Sequence, residues 1–392
     1  MRNMDFEEAE LQKTIKEEIS KLVSTLSPGY FRKKDTSKEF PRELWDLLAK
    51  NSWFGTNIPE EYGGAGLGLT ELSSVIQSVA ASGAGVTGGN LFTVTSAMVP
   101  PAIQKFGTES IKRSFLPRLA RGELICAIGI TEPGSGVNTL DIDTFAEKKA
   151  GEYIVTGQKI WITFAPVSDL MLLVARTTKK QETKSRTHGL SLFLLDMHQP
   201  NVRISPIDGL AMRPLLSSEV RLAEVNIPEE NLLGTLDNGW QALTTLLNNE
   251  RVSAASLCLG TGDYVLRKSA EYAKSRRVFG RPIGQNQSLQ FPLADSSAKL
   301  ETARLMLNKA TWLYDNNKEC ATEANIAAYM SSNAAFEAAD RAIQVFGGMG
   351  FAVQTDIERH WRDLRLWKTA PLPEQMVLSF LAQRLLGLPR SY

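Results

Sequence analysis

Glu250 is the residue whose type and position most demand a chemical explanation. Leu243, Leu246, Leu247, Ala254 and Leu257 recur at helical spacing and mark one apolar stripe, and Glu250 falls on that stripe, four residues before Ala254. A carboxylate turned toward a core must be paired, neutral or functional, because burying a bare charge is costly. Two uses stay open on this pattern: a structural carboxylate held by an arginine or backbone donors, and a group that moves protons. Two other stretches carry reactive or directed groups. The run Cys126-Ala127-Ile128-Gly129-Ile130-Thr131-Glu132-Pro133-Gly134-Ser135-Gly136 is a strand that ends in a tight Pro-Gly turn. Lys159-Ile160-Trp161-Ile162-Thr163 puts an aromatic ring and a hydroxyl at another strand end. Taken singly, each is an ordinary strand exit.

The elements that must position these groups follow from composition and periodicity. At 392 residues the chain can bury a large core and divide into two or three domains. A hydrophobic content of 43%, 22% charged residues and a formal net charge of +1, without a Lys/Arg block, fit a globular protein and argue against nucleic-acid binding. Cys126, Cys258 and Cys320 lie far apart, which fits a reducing compartment, and with His188, His198 and His360 they form no metal-ligand spacing. Asp5, Glu7, Glu8 and Glu10 sit in an amphipathic pattern instead of a basic region before an apolar run, so no leader peptide is expected. No run approaches about 18 apolar residues, so no membrane span is expected and a cytoplasmic location is the default.

Helical periodicity predicts helices over 6–26, 41–51, 70–82, 91–106 and 109–120, with a glycine-rich loop at 58–66. From 124 onward, short β-rich runs at 124–131, 153–162, 170–176, 190–196, 202–207 and 220–227 alternate with turn residues, with an exposed loop over 177–187. Long helices return over 239–274, 288–315, 321–346 and 373–386. The expected architecture is α+β. Its parts are an N-terminal helical domain (1–122), a middle antiparallel β domain (123–236) and a C-terminal four-helix bundle (237–392).

The strand-exit run and the Trp-Ile-Thr run together, in order and spacing, resemble the flavin-binding signatures of the acyl-CoA dehydrogenase family. Further landmarks in register are Ile58-Pro59-Glu60-Glu61-Tyr62-Gly63-Gly64, Lys105-Phe106-Gly107-Thr108-Glu109, 116–123, Arg276-Arg277-Val278-Phe279-Gly280, 344–351 and 359–363. The resemblance implies an FAD enzyme, usually a homotetramer built as a dimer of dimers. It would take an acyl-CoA to its 2,3-enoyl-CoA and pass electrons to an electron-transferring flavoprotein. Ile128, Ile130 and Thr131 would contact the flavin ring, Trp161 would cover one face, and Thr163 would bond near N5; a flat apolar ring needs such a wall with a few directed polar groups. Arg276, Phe279, Gln287, Gln344, Gly347 and Gly348 match positions holding the pyrophosphate and adenine end across a subunit interface. Val137, Asn248 and Arg251 match substrate-side positions.

The chain departs from the pattern where the chemistry matters most. Many members carry the catalytic Glu a few residues after an Arg-Asp pair; here the pair is Arg362-Asp363 and the position is Pro371, which has neither acid–base chemistry nor an N–H for the thioester oxygen. Members similar to isovaleryl- and long-chain acyl-CoA dehydrogenases keep the base immediately before an Arg on a bundle helix, which Glu250-Arg251 matches. Glu250 is therefore the expected base, with Glu374 second, and Leu372 a candidate donor to the oxyanion. Val137 replaces a Ser, Phe164 an Asn and Pro373 a Thr. Gly83, Ala84, Gly85, Gly88 and Gly89 suggest room for a branched or cyclic acyl group. The alternatives are a flavin-dependent reductase, oxidase or monooxygenase on the same fold, for which no carboxylate base is required, or a catalytically silent subunit of a hetero-oligomer.

Overall fold

The amphipathic N-terminal pattern folds as helix α1, Glu10–Ser24, with Ile15, Ile19 and Val23 buried at four-residue spacing. The structure, a computed structural model, describes residues 9–27 and 29–390, so the first turn of the expected helix 6–26 lies outside the described residues. The N-terminal helices continue as α2 Tyr30–Ser37, α3 Arg42–Lys50, α4 Leu69–Val79, α5 Gly85–Gly89, α6 Leu91–Thr95, α7 Val99–Phe106 and α8 Glu109–Ala120. The single helix expected over 91–106 is thus two. Pro100 falls in the first turn of α7, where an N–H is dispensable, and Ser96 before it donates to Phe54 O at 3.1 Å.

The middle strands are β1 Cys126–Gly129, β2 Phe145–Lys149, β3 Glu152–Ile162, β4 Leu170–Arg176, β5 Leu190–Asp196, β6 Val202–Pro206, β7 Ser218–Pro228 and β8 Leu232–Leu233. They form one 8-stranded sheet in the order β6-β7-β3-β2-β4-β5-β8, with β1 also beside β4. The expected all-antiparallel pairing holds except at β4, where β1 and β2 both run parallel. The reason is that β1 and β2 share one edge of β4: β1 pairs Leu170 to Leu173, and β2 reaches Arg176. β4 is buried along its whole length, as a strand covered on both faces must be. Leu170, Leu172 and Val174 face α7, α8 and the start of the next helix, while Met171, Leu173 and Ala175 face Val220, Leu222 and Ile227 of β7.

That next helix, α9 Gly239–Ser275, organises the rest. Every residue from Val252 to Gly262 is buried, so α9 is covered all round at its centre. Gly260 and Gly262 allow this: a Cβ at 260 would sit 2.2 Å from Gln77 O of α4, and one at 262 would sit 2.8 Å from the Leu300 side chain. After the hairpin β9 Arg277–Val278 and β10 Arg281–Pro282 come α10 Gln287–Asp315, α11 Ala321–Phe346, α12 Ile357–Leu366 and α13 Glu374–Leu386. The expected bundle helices are α9, α10, α11 and α13; α12 is an addition.

Candidate active site

The sheet presents its first group of candidates through one irregularity. Between Lys159 and Ile162 the β3–β7 register slips by one residue, and inside that bulge Trp161 adopts φ 63. A left-handed backbone is a true outlier for so large a side chain, and such strain collects where a side chain must be re-aimed. The result is an indole 58% exposed at the sheet's edge. Beside it, the Ile160 N–H donates to Thr131 O at 2.9 Å, which binds the bulge to the turn after β1. Ile128, Ile130, Thr131 and Thr163 are all half-buried, and Val137 is exposed in the same turn region. Phe164 also has a positive φ of 68, a conformation Asn tolerates well; here it is held by complete burial and an edge contact with Phe40, ring centroids 6.0 Å apart.

Beneath this wall lies an ion pair that the sequence pattern did not single out. Lys159 Nζ donates to Ile130 O at 3.0 Å and to Glu132 Oε1 at 2.8 Å. Glu132 also accepts the backbone N–H groups of Asp143 at 2.6 Å and Thr144 at 3.0 Å. Burial lowers the Lys159 ammonium to about 8 despite Glu132, while Glu132, pushed up by burial, is brought below its usual range by Lys159 and the backbone donors. The signal was available: Tyr153, Val155 and Lys159 share the inward parity of β3.

The second group lies at one end of the bundle. Arg276 caps α9, Phe279 and Gly280 form a two-residue hairpin turn with φ 51 and 80, Gln287 opens α10, and Gln344, Gly347 and Gly348 close α11. The Tyr272 and Phe346 rings stack 4.2 Å apart and bring the ends of α9 and α11 together. All six candidates are exposed, Phe279 completely. Among the described residues no hydrogen bond or ion pair joins this group to the Trp161 wall. The two groups fit the two ends of a flavin dinucleotide: an indole and aliphatic wall at one, and at the other an arginine with Gly347 and Gly348, where nothing stands within 4 Å of an added Cβ.

The third group is on α9. Glu250 keeps some exposed surface, yet its carboxylate has no hydrogen-bond or salt-bridge partner among the described residues. Burial raises its pKa above the ordinary carboxylate range, and the Arg251 charge offsets only part of that. Arg251, Ala254, Pro371 and Leu372 line one small pocket of about 20 Å³ with Tyr329, Trp367 and Glu374. Glu374 opens α13, 3.7 Å from Lys368 Nζ and 3.4 Å from Asn333 Nδ2, so its carboxylate is already engaged at a helix start. Asn248 is half-buried one turn from the stripe's centre.

The room expected from the small residues 83–89 is absent. A Cβ on Gly83 would sit 3.2 Å from the Tyr264 ring, on Gly85 2.6 Å from His360 and on Gly89 2.7 Å from Leu257, so those glycines serve close packing against α9 and α12.

The arrangement can therefore bind a flat cofactor against a strained indole, and it holds an unpaired, proton-accepting carboxylate on a buried helix. Models of the acyl-CoA dehydrogenase N-terminal, middle and C-terminal domains match residues 9–123, 127–225 and 237–386. The chain belongs to the acyl-CoA dehydrogenase family. It is an oxidoreductase of that superfamily. Acyl-CoA dehydrogenase FadE12 of Mycobacterium tuberculosis is 34% identical over 394 residues, covering 100% of both chains. A 3-(aryl)acrylate reductase of Clostridium sporogenes is 31% identical and covers 88% of this chain and 91% of its own. Butyryl-CoA dehydrogenase from Megasphaera elsdenii superposes with a TM-score of 0.92 at 27% identity, over 98% of this chain and 100% of that one.

Proposed function

We propose that this protein is an FAD-dependent acyl-CoA dehydrogenase in which Glu250 is the catalytic base. The observation that carries the reading is the Glu250 carboxylate: on a buried helix, without a protein donor among the described residues and raised in pKa, in a chain whose Pro371 excludes the alternative base position. Ionised Glu250 takes the proton from the carbon next to the thioester carbonyl. Bound FAD supplies the acceptor for the hydride from the neighbouring carbon. Ile128, Ile130, Thr131, Trp161 and Thr163 wall the ring, and Arg276, Phe279, Gln287, Gln344, Gly347 and Gly348 hold the dinucleotide's other end in a homotetramer. Leu372 lines the pocket, and its N–H, free of any protein acceptor among the described residues, replaces the donor that Pro371 lacks. Asn248, Arg251 and Val137 stand on the substrate side. The reduced enzyme passes its electrons to an electron-transferring flavoprotein in the cytoplasm.

Glu250→Gln tests this. Full FAD content with loss of flavin bleaching by acyl-CoA substrates is the expected result; unchanged bleaching would remove Glu250 and leave Glu374.

The resemblance to a 3-(aryl)acrylate reductase supports a second reading, in which the same groups work in reverse and protonated Glu250 returns the proton. Its raised pKa suits that role too. Chemically reduced enzyme reoxidised by enoyl thioesters, with no bleaching by saturated ones, would favour the reductase.

A further inference from the structure

Where α4 gives way to a wider, π-type turn, Ala80–Ala84, the surface opens into a cavity of about 230 Å³ between α1, that turn and α9. Widened turns of this kind recur at functional sites. The polar lining is Lys16, Ser20 and Ser24 of α1, Ser78 of α4, Ser82 of the turn and Arg267 of α9. Two cations and four hydroxyls thus border one space, and no carboxylate lines it. None of these residues lines the pocket beside Pro371 or belongs to the groups described above.

Neither cation is neutralised. Among the described residues Lys16 makes no hydrogen bond and no salt bridge. Its charge acts on Asp263 of α9, but both oxygens of that carboxylate already accept from Arg304. Arg267 donates to Ala81 O at 2.9 Å through Nη2, and its guanidinium lies 5.5 Å from the Tyr264 ring centroid. Those two contacts fix the plane against the wall of the cavity. Its Nε and Nη1 have no acceptor among the described residues. The next residue on α9, Lys268, has Glu271 at 3.3 Å; no such acid reaches Arg267.

The serines divide by what they can offer a ligand. Ser24, Ser78 and Ser82 give their hydroxyl hydrogens to Lys21 O, Ser74 O and Ser78 O at 2.6, 2.7 and 2.8 Å, so each is left with an oxygen that accepts. Ser20 has no partner among the described residues and is free to donate. A bare anion needs donors alone and would leave three acceptors unused. A ligand that joins an anionic group to several hydroxyls uses both sets. Phosphate is the anion that suits the cations, because its oxygens accept from an ammonium and an arginine fork at once.

We propose that this cavity binds a small phosphate monoester that carries hydroxyl groups, a polyol or sugar phosphate. Lys16 and Arg267 hold the phosphoryl group, and the serine oxygens accept from the ligand's hydroxyls. The proposal does not depend on the dehydrogenase reading.

The test is calorimetric titration of the FAD-loaded, full-length protein at fixed ionic strength. Glycerol phosphate, ribose phosphate and glucose phosphate are compared with glycerol, ribose and glucose, and with inorganic phosphate. At least one ester is expected to bind roughly ten-fold or more tighter than both its free polyol and inorganic phosphate, the scale of one charge-assisted contact. Arg267→Met is expected to remove that advantage. Lys16→Met and Ser20→Glu, at exposed positions of α1, are expected to do the same, so the test does not hinge on Arg267, whose loss also leaves Ala81 O without its donor. Esters that bind no tighter than their polyols overturn the proposal. So does ester binding that survives Lys16→Met and Ser20→Glu, which would put the ligand elsewhere on the protein. Inorganic phosphate that binds as tightly as every ester overturns the assignment to an ester.

Discussion

A carboxylate with no donor to hold it announces its charge through pH, and Glu250 fixes the direction. Its pKa in the folded protein is raised by burial, so the ionised, base-competent form is lost at a higher pH than for an ordinary glutamate near about 4.3. The kcat/KM of the dehydrogenase is therefore expected to fall on the acid side through that raised value. Arg251 supplies the charge that opposes the rise, so Arg251→Met moves the acid limb to higher pH with neutral substrates; a limb that stays in place would show that the guanidinium does not act on the base. The linkage to stability has the opposite sign, since a raised carboxyl stabilises the fold below the unfolded pKa and loses that contribution as pH rises through the folded one. Trp161 makes the opposite kind of residue-scale prediction. Its φ of 63 is strained for any residue with a Cβ, so Trp161→Gly is expected to raise the apoprotein's unfolding free energy by about 1 kcal/mol while weakening FAD retention. Thermal midpoints of apoprotein and FAD dissociation measured side by side check both halves; if both fall together, the bulge is merely structural.

At the scale of elements, the Lys159–Glu132 pair is what keeps the β1 exit and the β3 bulge in one piece. Lys159→Met leaves Glu132 buried with its backbone donors alone, a loss expected to cost about 3 kcal/mol of stability and to release FAD. Lys159→Met combined with Glu132→Leu removes the stranded charge, so its denaturation midpoint is expected to recover part of that loss; a double variant worse than the single would mean that the backbone contacts of Glu132 matter more than its pairing. Legibility differed among elements for physical reasons. β4, β5, α8 and α11 were read to their terminal residues because each is a clean apolar period bounded by turn residues. α5 was missed since Gly85, Gly88 and Gly89 are poor helix formers, although they are helical where the chain must pass close to α9 and α12. α12 was missed although Ile357, Trp361 and Leu364 recur at helical spacing; what that local period could not reveal is that its Arg359, Arg362 and Asp363 are buried against partners far away in the chain. The site divides in the same way. Trp161, Thr131 and Glu250 were visible as types at spacings, whereas the engaged state of Glu374 and the Asn325 contact of Arg251 are properties of the packing.

For the whole molecule, α12 is the junction of all three layers, and its charges make the junction pH-sensitive. Arg362 donates to Asp35 of α2 at 2.7 Å and to Leu210 O of the loop before β7 at 2.9 Å, while Arg359 donates to Gly83 O at 2.8 Å. Asp363 completes the junction by accepting the Met212 N–H at 2.7 Å and the Thr87 hydroxyl at 3.3 Å. Burial raises the Asp363 carboxyl from 3.8 to about 6, against the pull of Arg359 and the Met212 N–H. Between those two values the folded protein holds a proton that the unfolded chain has released, so the stabilisation from this group declines as pH rises across the window, at a limiting slope of about 1.4 kcal/mol per pH step of one. Asp363→Asn keeps an oxygen for the Met212 N–H and gives Thr87 Oγ1 a donor, but it cannot titrate. The difference in denaturation midpoint, wild type minus Asp363→Asn, is therefore expected to decrease from about pH 4 to about pH 6 and to stay flat above it. Every other titrating group is common to the two proteins and cancels unless it couples to Asp363. A difference that is level across the window would mean that Asp363 stays ionised throughout, with Arg359 and Arg362 outweighing burial at the centre of the molecule.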